Sequence, residues 1–529
     1  MPSKFRFVVV ALCSVALFNY QPSNAQSFCL KAIADNGESD YDHIADIIET
    51  EDDELAFIMQ NGYHFDTNMK TIVGKIDAQG DSVWLKRYDL MPASIATREY
   101  AQAIIEAPNK DLIFVSNFWE VSDPNRQGFS IARVDSAGNL LHTRYYTDTQ
   151  LQATKLLLRP NGNVLVFGTK GSYLFAMLLY PDLDYIQALQ LGHYSILMDV
   201  IELNGNFVGV TRSISGTGSC TVFSLRGDIS GFNWITQING PQTTSGSKIE
   251  ALNTNRLAVT TSLGYDRATL MLLDNTQGDL LNVKEFTHPS ERIRTTSIVP
   301  TNGGGLIVTG TQGTAYAKIF VSHFDGQGQL LNRLIYGDGL LRKAIKTANG
   351  LVLAGDHDVW QGSREGHIIR TNPDGSSCCE EESQVVDIDV PTYPFASITP
   401  LLPISSFQLT PSVFGTEEPF GRFEFICRDQ TSARATRTTD PEETVSESGA
   451  RAAVVRLFPN PATHTLYVSF KELMPNTSFR LISLSGQTLL KGMLDQPNEI
   501  IDVSKLDKGL YFMEVRHDRT RTFHKVVIE

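Results

Sequence analysis

The chain has 529 residues, which is long enough for more than one domain. Hydrophobic residues make up 42% and charged residues 20%, values that are ordinary for a globular protein and that exclude global disorder. The net charge of −14 argues against nucleic acid and anionic membrane surfaces as partners, because both bind basic protein faces.

The N-terminus predicts a signal peptide over residues 1–25. Lys4 and Arg6 precede an apolar run, residues 7–18, that has the length of a signal-peptide core and is too short to span a bilayer. The small residues 23–25 offer a cleavage site before Gln26. No other apolar run approaches membrane length, so we expect an exported protein without a transmembrane segment.

A two-strand limb recurs through most of the chain. Each copy is a short strand, a turn of Asn, Asp or Gly, and a second strand rich in β-branched or aromatic residues. The seven copies begin at Ile47, Ile104, Leu156, Val200, Ile249, Ile298 and Ala344.

A second hairpin follows each limb, and its turn combines an Asp or Asn with a later Gly where the backbone needs positive φ. Clear turns lie at Asp77–Gly80, Asp135–Gly138, Asp274–Gly278, Asp325–Gly328 and Asn372–Gly375, and weaker ones near Asp182 and Asp228. Successive turns are 46–58 residues apart. About four strands per such period, with no helical periodicity, predict an all-β, seven-bladed β-propeller over residues 26–379. An array of β-sandwiches is the structural alternative.

The last repeat lacks its outer strand, because residues 376–382 form a poor strand sequence. Residues 28–34 look like the missing strand, so we predict that they close the last blade. That closure brings Cys29 near the vicinal pair Cys378 and Cys379. Since exported thiols tend to oxidise, we expect a disulfide from Cys29 to one of this pair. Cys427 is a candidate partner for the other, which leaves Cys220 as a buried thiol.

The rest of the chain divides into three parts. Residues 380–427 break the repeat with prolines and short strand-like runs, which predicts a β-rich annex packed on the propeller. Residues 428–453 are rich in Thr, Ser, Glu and Arg and predict a flexible linker. Residues 454–529 alternate polar and apolar residues between Gly turns, which predicts a small antiparallel β-sandwich of immunoglobulin-like type.

Two resemblances support these divisions. The repeats resemble the propeller-like repeats of secreted Bacteroidetes proteins. The C-terminal module carries, in order, Phe-Pro-Asn-Pro-Ala at 458–462, Leu-Ser-Gly-Gln at 484–487, Leu-Asp-Lys-Gly-Leu-Tyr at 506–511 and Lys-Val-Val-Ile at 525–528. This order resembles the type A C-terminal sorting domain of type IX secretion substrates.

The resemblance to a sorting domain implies a route and a partner. It implies passage through the periplasm, recognition by the type IX translocon, and a final location on the outer-membrane surface or outside the cell. The residues that match the signal are Pro459, Asn460, Pro461, Gly486, Gly509, Tyr511 and Lys525. The same prolines and glycines also shape turns in any β-sandwich.

Catalytic and metal motifs are weak. Ser130 is one residue short of a nucleophile-elbow match, but it begins a predicted strand. Ser245 and Lys248 match Ser-x-x-Lys, which a polar loop produces by chance. Carboxylates at Asp35, Asp40 and Asp42 could bind calcium, or could form an ordinary solvated loop. No other cofactor is expected.

Three functional classes remain, and the sequence favours the first. They are a non-enzymatic surface or secreted propeller that binds a glycan or protein, a hydrolase of glycans or peptides with carboxylates spread over several blades, and a component of the secretion or gliding apparatus. Aromatic residues at loop edges either contact a ligand or are buried between blades: Tyr63, Phe65, Phe118, Trp119, Tyr265 and Trp360.

Overall fold

The structure is a computed structural model, and it describes most of the chain. The described residues are 27–33, 42–62, 69–92, 95, 97–123, 126–213, 219–239, 244–263, 267–287, 292–313, 317–359, 363–372, 375–378, 380–383, 387–389, 395–398, 404–407, 409, 411–419, 422–428, 455–458, 462–470, 477–483, 488–494, 498–506, 508–517 and 520–528. The predicted signal peptide and residues 429–453 of the predicted linker lie outside these ranges. The chain divides into two compact units, residues 1–433 and 434–529.

Every regular element among the described residues is a β-strand, and within them no helix is long and apolar enough to cross a membrane. The first unit contains seven antiparallel blades of four strands each, which confirms the predicted propeller. β13 serves two blades, because its first half is the outer strand of blade 3 and its second half the inner strand of blade 4.

The strands of the first four blades follow one another in chain order. Blade 1 contains β2 (His43–Glu49), β3 (Leu55–Asn61), β4 (Lys70–Ile76) and β5 (Ser82–Asp89). Blade 2 contains β6 (Thr97–Glu106), β7 (Leu112–Glu120), β8 (Arg126–Val134) and β9 (Leu140–Thr149). Blades 3 and 4 contain β10 (Leu151–Leu158), β11 (Val164–Lys170), β12 (Tyr173–Leu179), β13 (Tyr185–Leu203), β14 (Asn206–Ser213), β15 (Ser219–Leu225) and β16 (Phe232–Asn239).

The last three blades continue in the same way, but blade 7 takes its outer strand from the N-terminus. Blade 5 contains β17 (Thr244–Asn253), β18 (Arg256–Leu263), β19 (Arg267–Asp274) and β20 (Leu280–Thr287). Blade 6 contains β21 (Ile293–Pro300), β22 (Leu306–Gln312), β23 (Lys318–Phe324) and β24 (Leu330–Asp338). Blade 7 contains β25 (Leu340–Thr347), β26 (Gly350–Val359), β27 (Ser363–Arg370) and β1 (Phe28–Ile33).

The outer turns explain the repeating Asp and Gly. In blade 1 the Asp77 carboxylate accepts the backbone N–H groups of Gln79 and Asp81, both at 2.8 Å. The Gly at the end of the turn has positive φ, 85° at Gly80, where a side chain would be strained. At the two weaker turns Leu183 and Ile229 take this conformation with φ of 69° and 55°, which is why the sequence signal fades there.

Apolar residues fill the space between neighbouring blades. In the described part of the propeller, each of the seven interfaces holds its own buried cluster. The interface of blade 7 with blade 1 buries Phe28 and Leu30 of β1 with Ile44, Val352 and Ile368. The ring is therefore closed by hydrophobic burial at the same kind of interface that joins all the other blades.

β1 pairs antiparallel with β27, with Cys29 opposite Ile369. This is the position at which the sequence analysis placed residues 28–34. Residues 380–383, which were expected to form no strand, do form one, but it pairs with β24 of blade 6 and leaves blade 7 to β1. The reason is that the outer edge of β24 offers unpaired backbone groups that a short segment of almost any sequence can satisfy.

The described residues between 380 and 428 add backbone pairing to every blade in turn, and we call them the belt. The belt strands are β28 (Glu380–Ser383), β29 (Asp387–Asp389), β30 (Phe395–Ile398), β31 (Ile404–Phe407), β32 (Thr416–Pro419) and β33 (Arg422–Arg428). They pair with blades 6, 5, 4, 3, 1 and 7. Between β31 and β32, Ser412 bridges Tyr145 of blade 2. The belt ends at Arg428, a residue assigned to the linker from sequence.

The second unit is a two-sheet sandwich. One sheet has the order β34 (Val455–Phe458), β35 (Thr465–Phe470) and β38 (Asn498–Asp502). The other has the order β37 (Thr488–Met493), β36 (Ser478–Ser483), β39 (Gly509–His517) and β40 (Thr520–Ile528). Residues of both sheets, among them Leu466, Leu481 and Met513, share one buried core.

Candidate functional site: a charged ring on the propeller axis

The innermost strand of every blade contains a β-bulge at the same level. The register shifts occur just before Asp46, Ala103, Lys155, Asp199, Lys248, Ser297 and Lys343, one residue for each of blades 1 to 7. We call these seven residues the axial ring. A bulge turns a side chain out of the regular pleat, and all seven residues line the cavities on the propeller axis.

Two ion pairs join neighbouring members of the axial ring. Lys343 Nζ lies 3.2 Å from Asp46 Oδ1, and Lys155 Nζ lies 3.0 Å from Asp199 Oδ1. Asp46 also accepts the backbone N–H of Ile104 in blade 2 at 3.1 Å, so it links two blades. Both aspartates are thus held in fixed orientations by cationic and backbone donors.

Lys248 is the lysine of the axial ring that forms no ion pair with a described residue. In the described part of the chain no carboxylate lies within ion-pair distance of its ammonium group, because the adjacent ring member Asp199 is already paired with Lys155. The axial ring therefore holds three lysines and two aspartates, which leaves one positive charge uncompensated.

The pKa shifts follow this geometry. Burial would raise the pKa of Asp199, but Lys155, Lys248 and Lys343 together lower it to about 2. Burial likewise opposes the charge of Lys155, yet the attraction of Asp199 raises its pKa above the ordinary value. For Lys248, burial together with repulsion from Lys343 and Lys155 outweighs the attraction of Asp199 and lowers the pKa.

Two cavities meet at the ring. The larger, of about 540 Å³, is lined by residues that precede the bulges, and the smaller, of about 280 Å³, by residues that follow them. Lys155, Asp199, Lys248 and Lys343 line both. The axial ring is therefore the constriction between a wide chamber and a narrow one.

An aromatic pair lies in the wall of the larger chamber. The rings of Tyr100 and Trp119 are 5.0 Å apart at 49°, and Trp119 is 37% exposed. Arg212 and Arg342 line the same chamber, and Arg342 is paired with Asp356 at 3.3 Å. The chamber thus combines an apolar aromatic face with a positively charged floor.

Of the six aromatic residues predicted from sequence, Trp119 alone among those described lines the axial chamber. Phe118 is 1% exposed, and its ring lies 6.4 Å from the ring of Tyr145 in the same blade. Tyr63, Phe65, Tyr265 and Trp360 lie outside the described residues.

The weak catalytic and metal candidates lie in different surroundings in the structure. Ser130 is fully buried within β8, so it is not presented as a nucleophile. Lys248, rejected as part of a Ser-x-x-Lys match, belongs to the axial ring. Asp42 is 1% exposed, while Asp35 and Asp40 lie outside the described residues. Among described residues, no group of three His, Cys, Asp or Glu side chains could hold a metal ion.

The cysteines lie close to the closure of the propeller. Cys29 of β1 is directly opposite Cys427 of β33 in the backbone register, and Cys378 packs against the same buried cluster as Cys29. Cys220 is a free, buried thiol. Cys379 lies outside the described residues.

The axial ring itself was missed from sequence. A signal was present, because each ring residue lies about six residues before the turn of its limb. Aligning the seven limbs on their turns puts Asp, Ala, Lys, Asp, Lys, Ser and Lys in one column, an unusual set for strands that otherwise carry apolar residues.

Comparison with known proteins establishes what the second unit is. Residues 456–529 match the family described as the secretion system C-terminal sorting domain. The C-terminal unit is a sorting domain. It indicates export by the type IX secretion system to the cell surface or the medium, as expected from the four motifs. No curated protein matches the chain.

Among solved structures the similarity is remote. A mutant of NanB sialidase from Streptococcus pneumoniae has a TM-score of 0.38 and 8% identity, over 66% of this chain and 71% of that chain. A prolyl endopeptidase has a TM-score of 0.42 and 12% identity, over 66% of this chain and 50% of that chain. PorZ, a surface component of the type IX secretion system of Porphyromonas gingivalis, has a TM-score of 0.20 and 8% identity, over 92% and 81%. These similarities carry no conclusion about activity.

Within the sorting domain, three of the seven signal residues are described. Gly509 begins β39, Tyr511 is 7% exposed and belongs to the core, and Lys525 lies in β40 opposite Phe512. Pro459, Asn460, Pro461 and Gly486 lie outside the described residues.

Proposed function

We propose that this protein is an exported, non-enzymatic binding protein whose ligand enters the axial cavity of the propeller. The observation that supports it is the axial ring, in which residues from seven separate blades line two adjoining cavities. A concave site with a few convergent polar groups is the usual form of a ligand site.

The state of the ring carboxylates favours binding over catalysis. A general acid must hold a proton near the working pH, whereas the pKa of Asp199 is lowered to about 2 and Asp46 is paired with Lys343. Fixed ion pairs orient a bound group but supply no proton.

One observation favours a second candidate, a hydrolase. Burial raises the pKa of Glu250, which lines the narrow chamber with Asp199, and the charge of Asp199 raises it further. Two carboxylates whose pKa values are driven apart are a common acid–base arrangement. Hydrolysis of a glycan or peptide by the mature protein that disappears in Glu250→Gln would establish this candidate in place of the first.

An array of glycans and proteins probed with the mature protein tests the first candidate. We expect saturable binding that Trp119→Ala weakens and that Leu331→Ala leaves unchanged, since Leu331 is an exposed residue of β24 outside the axial chamber. Equal binding by the two variants would place the ligand elsewhere on the surface.

We also propose that the sorting domain is recognised by the translocon through Pro459, Asn460, Pro461, Gly486, Gly509, Tyr511 and Lys525. Removal of residues 454–529 should leave the propeller in the periplasm. Lys525→Ala changes one of these residues, which lies in β40, and a variant that still folds separates recognition from folding. A folded Lys525→Ala protein that is exported normally would remove Lys525 from the signal.

Finally, we propose that Cys29, Cys378, Cys379 and Cys427 form two disulfides that fasten β1 to the belt. The register of Cys29 with Cys427 and the packing of Cys378 near Cys29 support pairing among these four. Peptide mapping without reduction identifies the pairs, and finding Cys29 and Cys427 both as free thiols would contradict the proposal.

A further inference from the structure

We propose that the axial ring is a binding site for a single negatively charged group, a carboxylate or a sulfate ester, carried by a saccharide whose sugar ring lies against Trp119. This inference rests on the proposed binding function and names its ligand class. Lys248 is the residue that would contact the acidic group.

The balance of charges in the axial ring supports a ligand group that carries one negative charge. Lys155 and Lys343 are neutralised by Asp199 and Asp46 at 3.0 and 3.2 Å, while Lys248 has no such partner among the described residues. One added negative charge would bring the ring to neutrality.

The position of Lys248 makes its free charge costly without a ligand. A charge held partly away from water is destabilising unless it is paired, and Lys248 is a half-buried residue that lines both chambers. The propeller as a whole is part of a chain with a net charge of −14, so a basic site on its axis does not follow from composition. An acidic ligand would supply the missing partner.

The neighbouring groups fit the rest of such a ligand. Tyr100 and Trp119 offer an aromatic surface in the same chamber as Lys248, and Trp119 remains 37% exposed although it is large and apolar. Aromatic faces pack against the C–H faces of sugar rings while polar groups fix the orientation. Gln152 lines the same chamber and provides hydrogen-bonding groups for hydroxyls, whereas the Asn117 side chain is held by the backbone of Ala153.

The ion pairs of the axial ring also predict which of its lysines can be replaced without loss of stability. Lys155→Met and Lys343→Met would each leave a ring aspartate without its cation, so both should destabilise the propeller. Lys248→Met removes a charge that has no ion-pair partner among the described residues, so it should raise the melting temperature while it weakens binding. A lysine with a purely structural role would give the opposite result.

Calorimetric titration of the full mature protein with glucuronate, glucose 6-sulfate and glucose, at matched ionic strength, tests the proposal. We expect binding of glucuronate or glucose 6-sulfate and not of glucose, and the stronger of the two acids identifies the acidic group. Lys248→Met should weaken that binding at least about thirtyfold, and Lys248→Arg should retain most of it. Lys110→Met is the control, because Lys110 is an exposed lysine paired with Asp52 outside the chamber.

The outcomes distinguish this inference from the proposed function. Binding of glucose and glucuronate with equal affinity, lost in Trp119→Ala but not in Lys248→Met, would overturn the anion site and leave the axial cavity as a binding site. Absence of saturable binding by every acidic saccharide, together with no fall in melting temperature in Lys155→Met, would overturn the ring as a recognition site. If, in addition, no ligand on the array binds to the protein, the proposed function is overturned.

Discussion

The hydroxyl of Tyr88, on the outer strand of blade 1, donates a 2.6 Å hydrogen bond to the carbonyl oxygen of Gly138 in the outer turn of blade 2. The same contact joins Tyr146 to Leu183, at 2.9 Å, and Tyr336 to Gly375. In each case the aromatic residue lies at the seventh position of its strand. In these three blades the tyrosine near the end of the outer strand thus forms a hydrogen bond to the next blade.

Tyr88→Phe should destabilise the propeller by about 1–2 kcal/mol, because it leaves the Gly138 carbonyl buried without its donor. Tyr336→Phe should do the same, and the double variant should lose the sum, since the two sites lie in different blade interfaces. Chemical denaturation measures these losses. Tyr180→Phe, on an exposed side chain, is the control, and an equal loss there would refute the assignment.

Gly278→Ala should lower the free energy of unfolding by about 3 kcal/mol. The residue has a φ of 78°, and a Cβ would lie 2.4 Å from the Trp234 ring, so backbone strain and overpacking both contribute. Gly205→Ala is the matched control, because Gly205 has a φ of 74° with nothing within 4 Å of the added atom. Gly205→Ala should lose only about 1 kcal/mol of stability, because backbone strain is the sole contribution there. Equal losses in denaturation would show that the contact with Trp234 is unimportant.

Glu99→Gln should stabilise the protein at pH 8 and change little at pH 5. Burial raises the pKa of Glu99 to about 7, although Lys70 and Thr71 favour the ionised form. Between the unfolded value of about 4.3 and 7, the folded state binds more protons, so stability contributed by this group falls as pH rises. Lys70 keeps its partner Asp89 at 2.7 Å in the variant.

Thermal unfolding at the two pH values measures the Glu99 effect, which is at most about 4 kcal/mol. Glu418→Gln, on the exposed strand β32, is the control and should be nearly neutral at both pH values, because its ion pair with Arg87 lies at the surface. A loss of stability in Glu99→Gln that is the same at pH 5 and pH 8 would contradict the prediction.

Removal of the belt should cause association. Without residues 380–428, the outer edges of the blades expose unpaired backbone groups, which recruit other edges. Size-exclusion chromatography should show loss of the monomer. A smaller change tests the same idea: Ser412→Pro removes the 3.1 Å bond from its N–H to the Tyr145 carbonyl, whereas Ser412→Ala keeps it. Identical stability of these two variants would argue that the bridge to blade 2 contributes nothing.

The number of blades, the closing strand and the sorting domain could be predicted from the sequence alone. Each of them is specified by contiguous residues: an Asp that accepts N–H groups within its own turn, a Gly with positive φ, and strands rich in β-branched and aromatic residues. Local hydrogen bonding and backbone conformation suffice to specify such features. Where Leu183 and Ile229 replace Gly, the signal weakened for the same local reason.

The axial ring and the blades with which the belt strands pair are visible only in the folded structure. The ring residues are separated along the chain by tens of residues, so their charges meet only after seven inner strands are arranged about one axis. The belt strands are short and contain few alternating apolar residues, so their sequence does not specify a partner. They become strands because the outer edge of each blade supplies the backbone groups with which they pair.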